Sequence, residues 1–306
     1  MSLLPKSSIR NLIVNRSMRP VCEQGLYQSI QLSKHSRRSI RLLQTFLLRP
    51  DLALLVQHLE IKLDSNLKFR RQIPSPLQVD AVRAISLAKN VQSLSLRGPS
   101  DWVWKSDKDE LRQVVSDMKL VQLEIPILGD PYYLYKCPEA DDWKYWARQD
   151  VELGAGIRRL LHAQPLLEEF KLSKLHLPEK NTPKIIASLQ ACLQASDVPS
   201  LKSLQATPEF AIVFLPRARR LESLNLTLAS WNDRLLSDME IKAAAIKLSI
   251  RSFTIRVWSY HHDQWFWDNL ANVFALFPNI EHLSVTIDSG RFIRDAKPAE
   301  FYFTTA

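Results

Sequence analysis

The sequence predicts an α/β fold of the repeat kind, a solenoid with a curved parallel sheet inside and helices outside. Three observations predict it. A short pattern (apolar, two free positions, apolar, one free position, apolar) begins at Val56, Leu59 and Ile61 and returns seven more times along the 306 residues. The last two apolar members alternate as on a strand, and recurrence of one strand signal along a chain marks a stacked array. Glycine is scarce, six in the chain. With no glycine-rich turn after any strand signal, a doubly wound sheet is the weaker alternative.

In order, the remaining copies are Val91, Leu94, Leu96; Leu120, Leu123, Ile125; Leu167, Phe170, Leu172; Leu201, Leu204 and a weak Ala206; Leu221, Leu224, Leu226; Ile250, Phe253, Ile255; and Ile280, Leu283, Val285. Their spacings are 35, 29, 47, 34, 20, 29 and 30 residues. Each interval holds a loop and usually a helix. Ile40, Leu43 and Leu47 recur one turn apart within residues 39–55, where Pro50 ends the helix. Leu111, Val114, Val115 and Met118 give residues 109–118 one apolar face, and Ser106 with Asp109 resembles a capping pair. Residues 184–195 do the same through Ile185, Ile186, Leu189, Cys192 and Leu193, and residues 265–277 through Phe266, Leu270, Val273, Phe274 and Phe277. Pro165, Pro199 and Pro278 each stand two residues before a triad, where proline stops the helix and sets the chain extended. A triad leucine buried between neighbouring copies contributes roughly 1.5–3 kcal/mol.

Residues 1–32 stand ahead of the array. Ile9, Leu12, Ile13 and Arg16 suit a short helix limited by Pro20, and Leu26 to Leu32 reads as the lead into a strand. Leu12-Ile13-Val14-Asn15-Arg16-Ser17-Met18-Arg19, then Leu26-Tyr27-Gln28-Ser29-Ile30-Gln31-Leu32, resembles the second half of an F-box. The stretch from Leu42 and Leu43 through Leu47-Leu48-Arg49-Pro50-Asp51-Leu52-Ala53 to the first triad is similar to the way fungal F-box-like proteins run into leucine-rich repeats. The family's opening helix has almost no room ahead of Leu12, and Asn15 stands where the family usually has cysteine. The resemblance covers residues 9–63 in detail and the rest by repeat pattern.

The resemblance implies a partial F-box-like segment over residues 1–38 and a leucine-rich-repeat solenoid over residues 39–306. It implies a non-catalytic substrate-recognition adaptor of a cullin-type, SCF-like ubiquitin ligase. Leu12, Val14, Arg16, Met18 and Tyr27 would lie toward a Skp-type adaptor, and the repeat face would hold a protein substrate. A repeat-only scaffold without ligase docking is the alternative.

Charge is concentrated at one end. Residues 1–50 hold nine basic side chains and one acid, Glu23, so they carry +8 of the net +9 and leave +1 for the remainder. That cluster could meet nucleic-acid phosphates, act as an import presequence or face an acidic protein; a solvated helix surface is the plain reading. The third agrees with the resemblance, and a nucleic-acid binder is the weakest of the function classes carried forward. No apolar run of about 18 residues predicts a membrane span, and the N-terminus has no block of the secretory kind. Three scattered cysteines, Cys22, Cys137 and Cys192, argue against a disulfide framework. The expected location is cytoplasmic or nuclear.

No arrangement of residues calls for catalysis or a cofactor. His261-His262-Asp263 lacks further ligands at metal spacing and reads as a polar loop. Gly154-Ala155-Gly156 lacks a third glycine and a preceding strand, and reads as a loop before a helix containing Ile157, Leu160 and Leu161. Asp141-Asp142 reads as a solvated turn. The aromatic run from Tyr132 to Trp146 lies in the longest interval and reads first as packing across the repeat edge, second as a binding loop.

The outward strand positions define the candidate site. His58, Glu60, Ser95, Arg97 and Glu124 come from the first copies, and Lys171, Asn225, Thr254, Arg256 and His282 from the later ones. Across all outward positions three acids oppose four bases, so the face is nearly neutral and rich in hydroxyl and amide groups. A nucleic-acid groove should be clearly positive; this face suits hydrogen bonding to a protein or peptide.

Overall fold

Alternating side chains let each copy of the pattern bury one side while its backbone pairs with the next copy. The computed structural model describes residues 18–33, 37–62, 82–97, 109–126, 154–173, 182–228, 233–244, 246, 248–258, 272, 275–288 and 299–304. The chain divides into two compact units, Met1–Lys136 and Cys137–Ala306.

The first unit runs α1 (Arg19–Tyr27), β1 (Ser29–Ser33), α2 (Arg37–Leu48), α3 (Pro50–Ala53), β2 (His58–Lys62), α4 (residues 82–86), β3 (Ser93–Arg97), α5 (Asp109–Ser116) and β4 (Gln122–Pro126). Its strands pair in sequence order and in parallel, with Ile30↔Leu59↔Leu94↔Leu123 in one register row. The second unit runs α6 (residues 154–162), β5 (Glu169–Ser173), α7 (Thr182–Cys192), β6 (Ser203–Ala206), α8 (Pro208–Phe214), β7 (Ser223–Leu228), α9 (Asp233–Ala243), β8 (Ser252–Trp258), β9 (His282–Asp288) and β10 (Ala299–Thr304). Strands β5 to β9 pair in parallel, aligning Phe170, Leu204, Leu224, Phe253 and Leu283, and β10 closes the order antiparallel to β9.

All eight copies lie on strands or at their starts, and every triad residue is buried, the weak Ala206 included. A parallel crossover needs a dozen or more residues, a condition that every spacing meets. In the shortest, from β6 to β7, the helix is only the seven residues of α8. Phe214 of α8 packs on Phe170 at 5.7 Å between ring centroids, and Phe277 on Phe253 at 5.2 Å.

One backbone device recurs between neighbouring copies within each unit. The carbonyl just after each first triad residue accepts two N–H groups from the next copy. Gln28 O takes those of Gln57 and His58, both at 2.9 Å, and Gln57 O those of Gln92 and Ser93. Glu168, Lys202, Glu222 and Arg251 repeat it in the second unit. Asn90 and Asn279, each one residue before a triad, reach back to the carbonyls of Leu54 and Leu248 of the preceding copy.

Three residues fix the connections of the second unit. Arg217 donates to Leu193 O (2.6 Å), Val213 O (2.7 Å) and Gln190 O (2.8 Å), covering carbonyls where α7 and α8 end. Such carbonyls have no partner within their own helix, and a cation there also opposes the helix dipole. Asp197, buried, accepts from Gln194 N–H (2.8 Å) and Arg158 Nε (3.2 Å), and its Oδ1 lies 2.8 Å from His162 Nδ1. Burial works to raise its pKa, but the hydrogen bonds from Gln194, His162 and Arg158 outweigh that and hold the carboxyl below its ordinary value. Gly154 lets α6 approach α7: a Cβ there would stand 2.7 Å from Ser188 Oγ and 2.8 Å from Leu189 N.

That last contact corrects the loop reading of Gly154-Ala155-Gly156. The three residues are helical, and the close approach of α7, rather than a turn, is what calls for glycine at Gly154. Pro20 stands in the first turn of α1, where its missing N–H costs nothing, and Leu26 and Tyr27 still belong to that helix. The strand starts at Ser29. Pro50 ends α2 as expected and then opens α3. Residues 9–16, the aromatic run 132–146, Cys137, His261-His262-Asp263 and most of the helix expected over 265–277 lie outside the described residues.

Candidate functional site

The parallel register turns the outward strand positions into columns that run across the strands, with adjacent members about 4.8 Å apart. In the first unit, Gln31, Glu60, Ser95 and Glu124 share one column. Beside it stand His58 with Ser93, and Lys62 with Arg97. In the second unit, Lys171, Gln205, Asn225, Thr254 and Ser284 form the corresponding column. Next to it run Glu169, Ser203, Ser223, Ser252 and His282, and Arg256 lies between Thr227 and Thr286. All ten residues expected on the repeat face therefore occupy positions on the paired strands, in two sets of five. Each set belongs to its own unit.

The two faces differ chemically. In the first unit, side chains tie neighbouring strands together: Gln31 Nε2 donates to Glu60 Oε2 at 2.7 Å, and Ser95 Oγ to Glu124 Oε2 at 2.8 Å. Lys62 Nζ lies 3.7 Å from Glu60 Oε1. In the second unit, Lys171 Nζ pairs with Glu169 of its own strand at 2.6 Å. Among the described residues, the outward hydroxyl and amide side chains of β6, β7 and β8 make no hydrogen bond to another side chain.

Of the residues expected toward an adaptor, Leu12, Val14 and Arg16 lie outside the described residues. Met18 is exposed at the start of α1. Tyr27 is half-buried, its ring tilted on Phe46 with centroids 6.1 Å apart. Its place is structural as well: Tyr27, Ile30 and Leu32 repeat the triad spacing, with Ile30 and Leu32 buried, so β1 is one copy more than the sequence reading found. An aromatic residue in place of an aliphatic one concealed it.

Another row escaped notice, the position just after the first triad residue. It reads Gln28, Gln57, Gln92 and Val121 in the first unit, where Gln28 Nε2 donates to Gln57 Oε1 at 2.8 Å. In the second unit it reads Glu168, Lys202, Glu222, Arg251 and Glu281, alternating in sign. Lys202 pairs with Glu168 at 2.9 Å, and Arg251 with Glu281. Alignment of the triads alone would have displayed this order of charges.

Among the described residues, no three His, Cys, Asp or Glu side chains come together as a metal site would require. Cys192 is half-buried, its thiol pKa raised by burial, with Sγ 3.8 Å from Gly154 O. Among the described residues, no helix is long and apolar enough to cross a membrane. Comparison with models of protein families and with curated protein sequences finds no match for this chain.

Proposed function

We propose that the chain is a leucine-rich-repeat solenoid working as a non-catalytic protein-binding scaffold, and that it presents a substrate to a cullin-type ubiquitin ligase. The observation that carries the scaffold reading is the outward columns. Parallel sheets ordinarily bury both faces and read as continuous apolar runs. Here the described parallel strands alternate buried apolar with half-buried or exposed polar positions, Thr286 of β9 being a buried exception, so one face stays open. The ligase link rests on the F-box resemblance of residues 12–32 and on the basic N-terminal end, which suits an acidic adaptor.

Two experiments separate the parts. A photo-crosslinking side chain at Asn225 or at Glu124, in cells producing the chain, should capture a small set of proteins that the same group at exposed Arg219 does not. Equal capture from all three positions overturns the scaffold reading. Retention of the full chain on a purified Skp-type adaptor tests the ligase link, and absence of retention reduces the protein to a repeat scaffold. Any truncation should stop at residue 17, because α1 and β1 follow at once and β1 is paired with β2. Steep loss of RNA or DNA affinity with salt would instead favour a nucleic-acid role for the basic end.

A further inference from the structure

The scaffold reading leaves open where on the sheet a partner docks and what chemistry it offers. The second unit answers both. Gln205, Asn225, Thr254 and Ser284 stand in register on four adjacent parallel strands, with Ser203, Ser223 and Ser252 in the neighbouring column. All seven are half-buried. Each carries a group that both donates and accepts hydrogen bonds. None is ionisable, none is aromatic, and none is bonded to another side chain. Glu169 and Lys171, engaged with each other, and His282 at the β9 end close these columns, and Arg256 stands in the adjoining column, two residues beyond Thr254 on β8.

A neutral array selects a neutral occupant, because a charge laid on it would lose water without gaining a counter-charge. Groups that donate and accept at every step match a polypeptide main chain, which offers N–H and C=O in alternation. The column from β6 to β9 spans three inter-strand steps, about 14 Å, or roughly four residues of extended chain. The first unit offers no such array, since Gln31–Glu60 and Ser95–Glu124 are already bonded across its strands.

Resting on the scaffold reading, we propose that strands β6 to β9 dock an extended, uncharged polypeptide segment, held by hydrogen bonds from these two columns to its main chain. Side-chain identity matters little to such a site beyond the absence of charge, and binding responds weakly to salt.

The test is selection of a displayed random-peptide library on the full chain, followed by affinity measurement on the peptides recovered. Peptides poor in charge are expected, with affinities nearly equal at low and high salt. Asn225→Ala with Thr254→Ala should weaken them about tenfold to thirtyfold, the equivalent of two lost hydrogen bonds. Both positions are on the open face, so an unchanged circular dichroism spectrum should accompany the loss. Charged peptides that release with salt overturn the proposal, as does equal weakening by Gln31→Ala with Gln122→Ala in the first unit. Peptides that bind but ignore Asn225 and Thr254 overturn the location and leave the scaffold reading standing. Recovery of no peptide, or binding to a glycan array in its place, overturns the proposal; cross-linking from the open face then decides the scaffold reading separately.

Discussion

Arg217 is the side chain on which the stacking of the second unit can be tested most directly. Its guanidinium donates to three carbonyls, two at the end of α7 and one at the end of α8. Arg217→Ala leaves those carbonyls to water, and Arg217→Lys keeps the charge but cannot span them. Gross values for charged donors would suggest a larger loss, but the side chain is half-buried and water reaches part of the site. At about 1 kcal/mol net per bond, the alanine variant loses about 3 kcal/mol and the lysine variant about 2 kcal/mol. For a unit of this size, 3 kcal/mol lowers the melting temperature by roughly 6–12 °C. Urea unfolding followed by circular dichroism at neutral pH measures the difference, with Arg219→Ala as the exposed neighbour that should change little. An Arg217→Ala protein within about 0.5 kcal/mol of the parent, the ordinary range for surface substitutions, would refute the view that one arginine ties these two helices together.

Gly154→Ala should destabilise although alanine is the better helix former by about 1 kcal/mol, because the new methyl meets Leu189 backbone as well as the movable Ser188 hydroxyl; thermal unfolding decides the sign. Asp197→Asn should cost about 1–2 kcal/mol, discounted because Arg158 and His162 are partly exposed. The folded pKa of Asp197 lies below its unfolded value, so its stabilisation is complete above about pH 4 and is lost as pH falls through the folded value. Unfolding free energies taken downward from pH 5 should therefore converge for parent and asparagine variant, and a gap independent of pH would contradict this. Lys202→Glu would set three carboxylates, at 168, 202 and 222, one residue ahead of β5, β6 and β7, costing roughly 0.5–1 kcal/mol at low salt and less at high salt. Denaturation at two salt concentrations reads that difference.

What the sequence made legible follows from what is periodic. The triads were readable because each has to bury the same side of a strand against the same kind of helix, so chemistry repeats with position. Ala206 was nearly lost, since a small side chain suffices where Phe210 and Phe214 fill the space below β6. The strand at β1 was expected, but its place as a copy of the triad was missed because Tyr27 occupies the first position and packs on Phe46. β10 was missed because an antiparallel closing strand owes nothing to the repeat. Gly154 was misread because the reason for its glycine lies on another helix, thirty-odd residues away along the chain.

The outward columns illustrate the same boundary from the other side. Which residues face outward was legible, because alternation fixes it. Whether they are already engaged was not, because that depends on the residue one strand over. Ser95 and Ser223 are both strand serines that stand one residue before a buried leucine. In the structure Ser95 meets Glu124 across the strands, whereas Ser223 stands between two serines. The first unit's column is therefore bonded across its strands and the second unit's is not, and only the register distinguishes them. A neutral average over all outward positions concealed two different surfaces: the first unit's column is bonded across its strands, whereas the second unit's column from Gln205 to Ser284 is uncharged, with Arg256 in the column beside it.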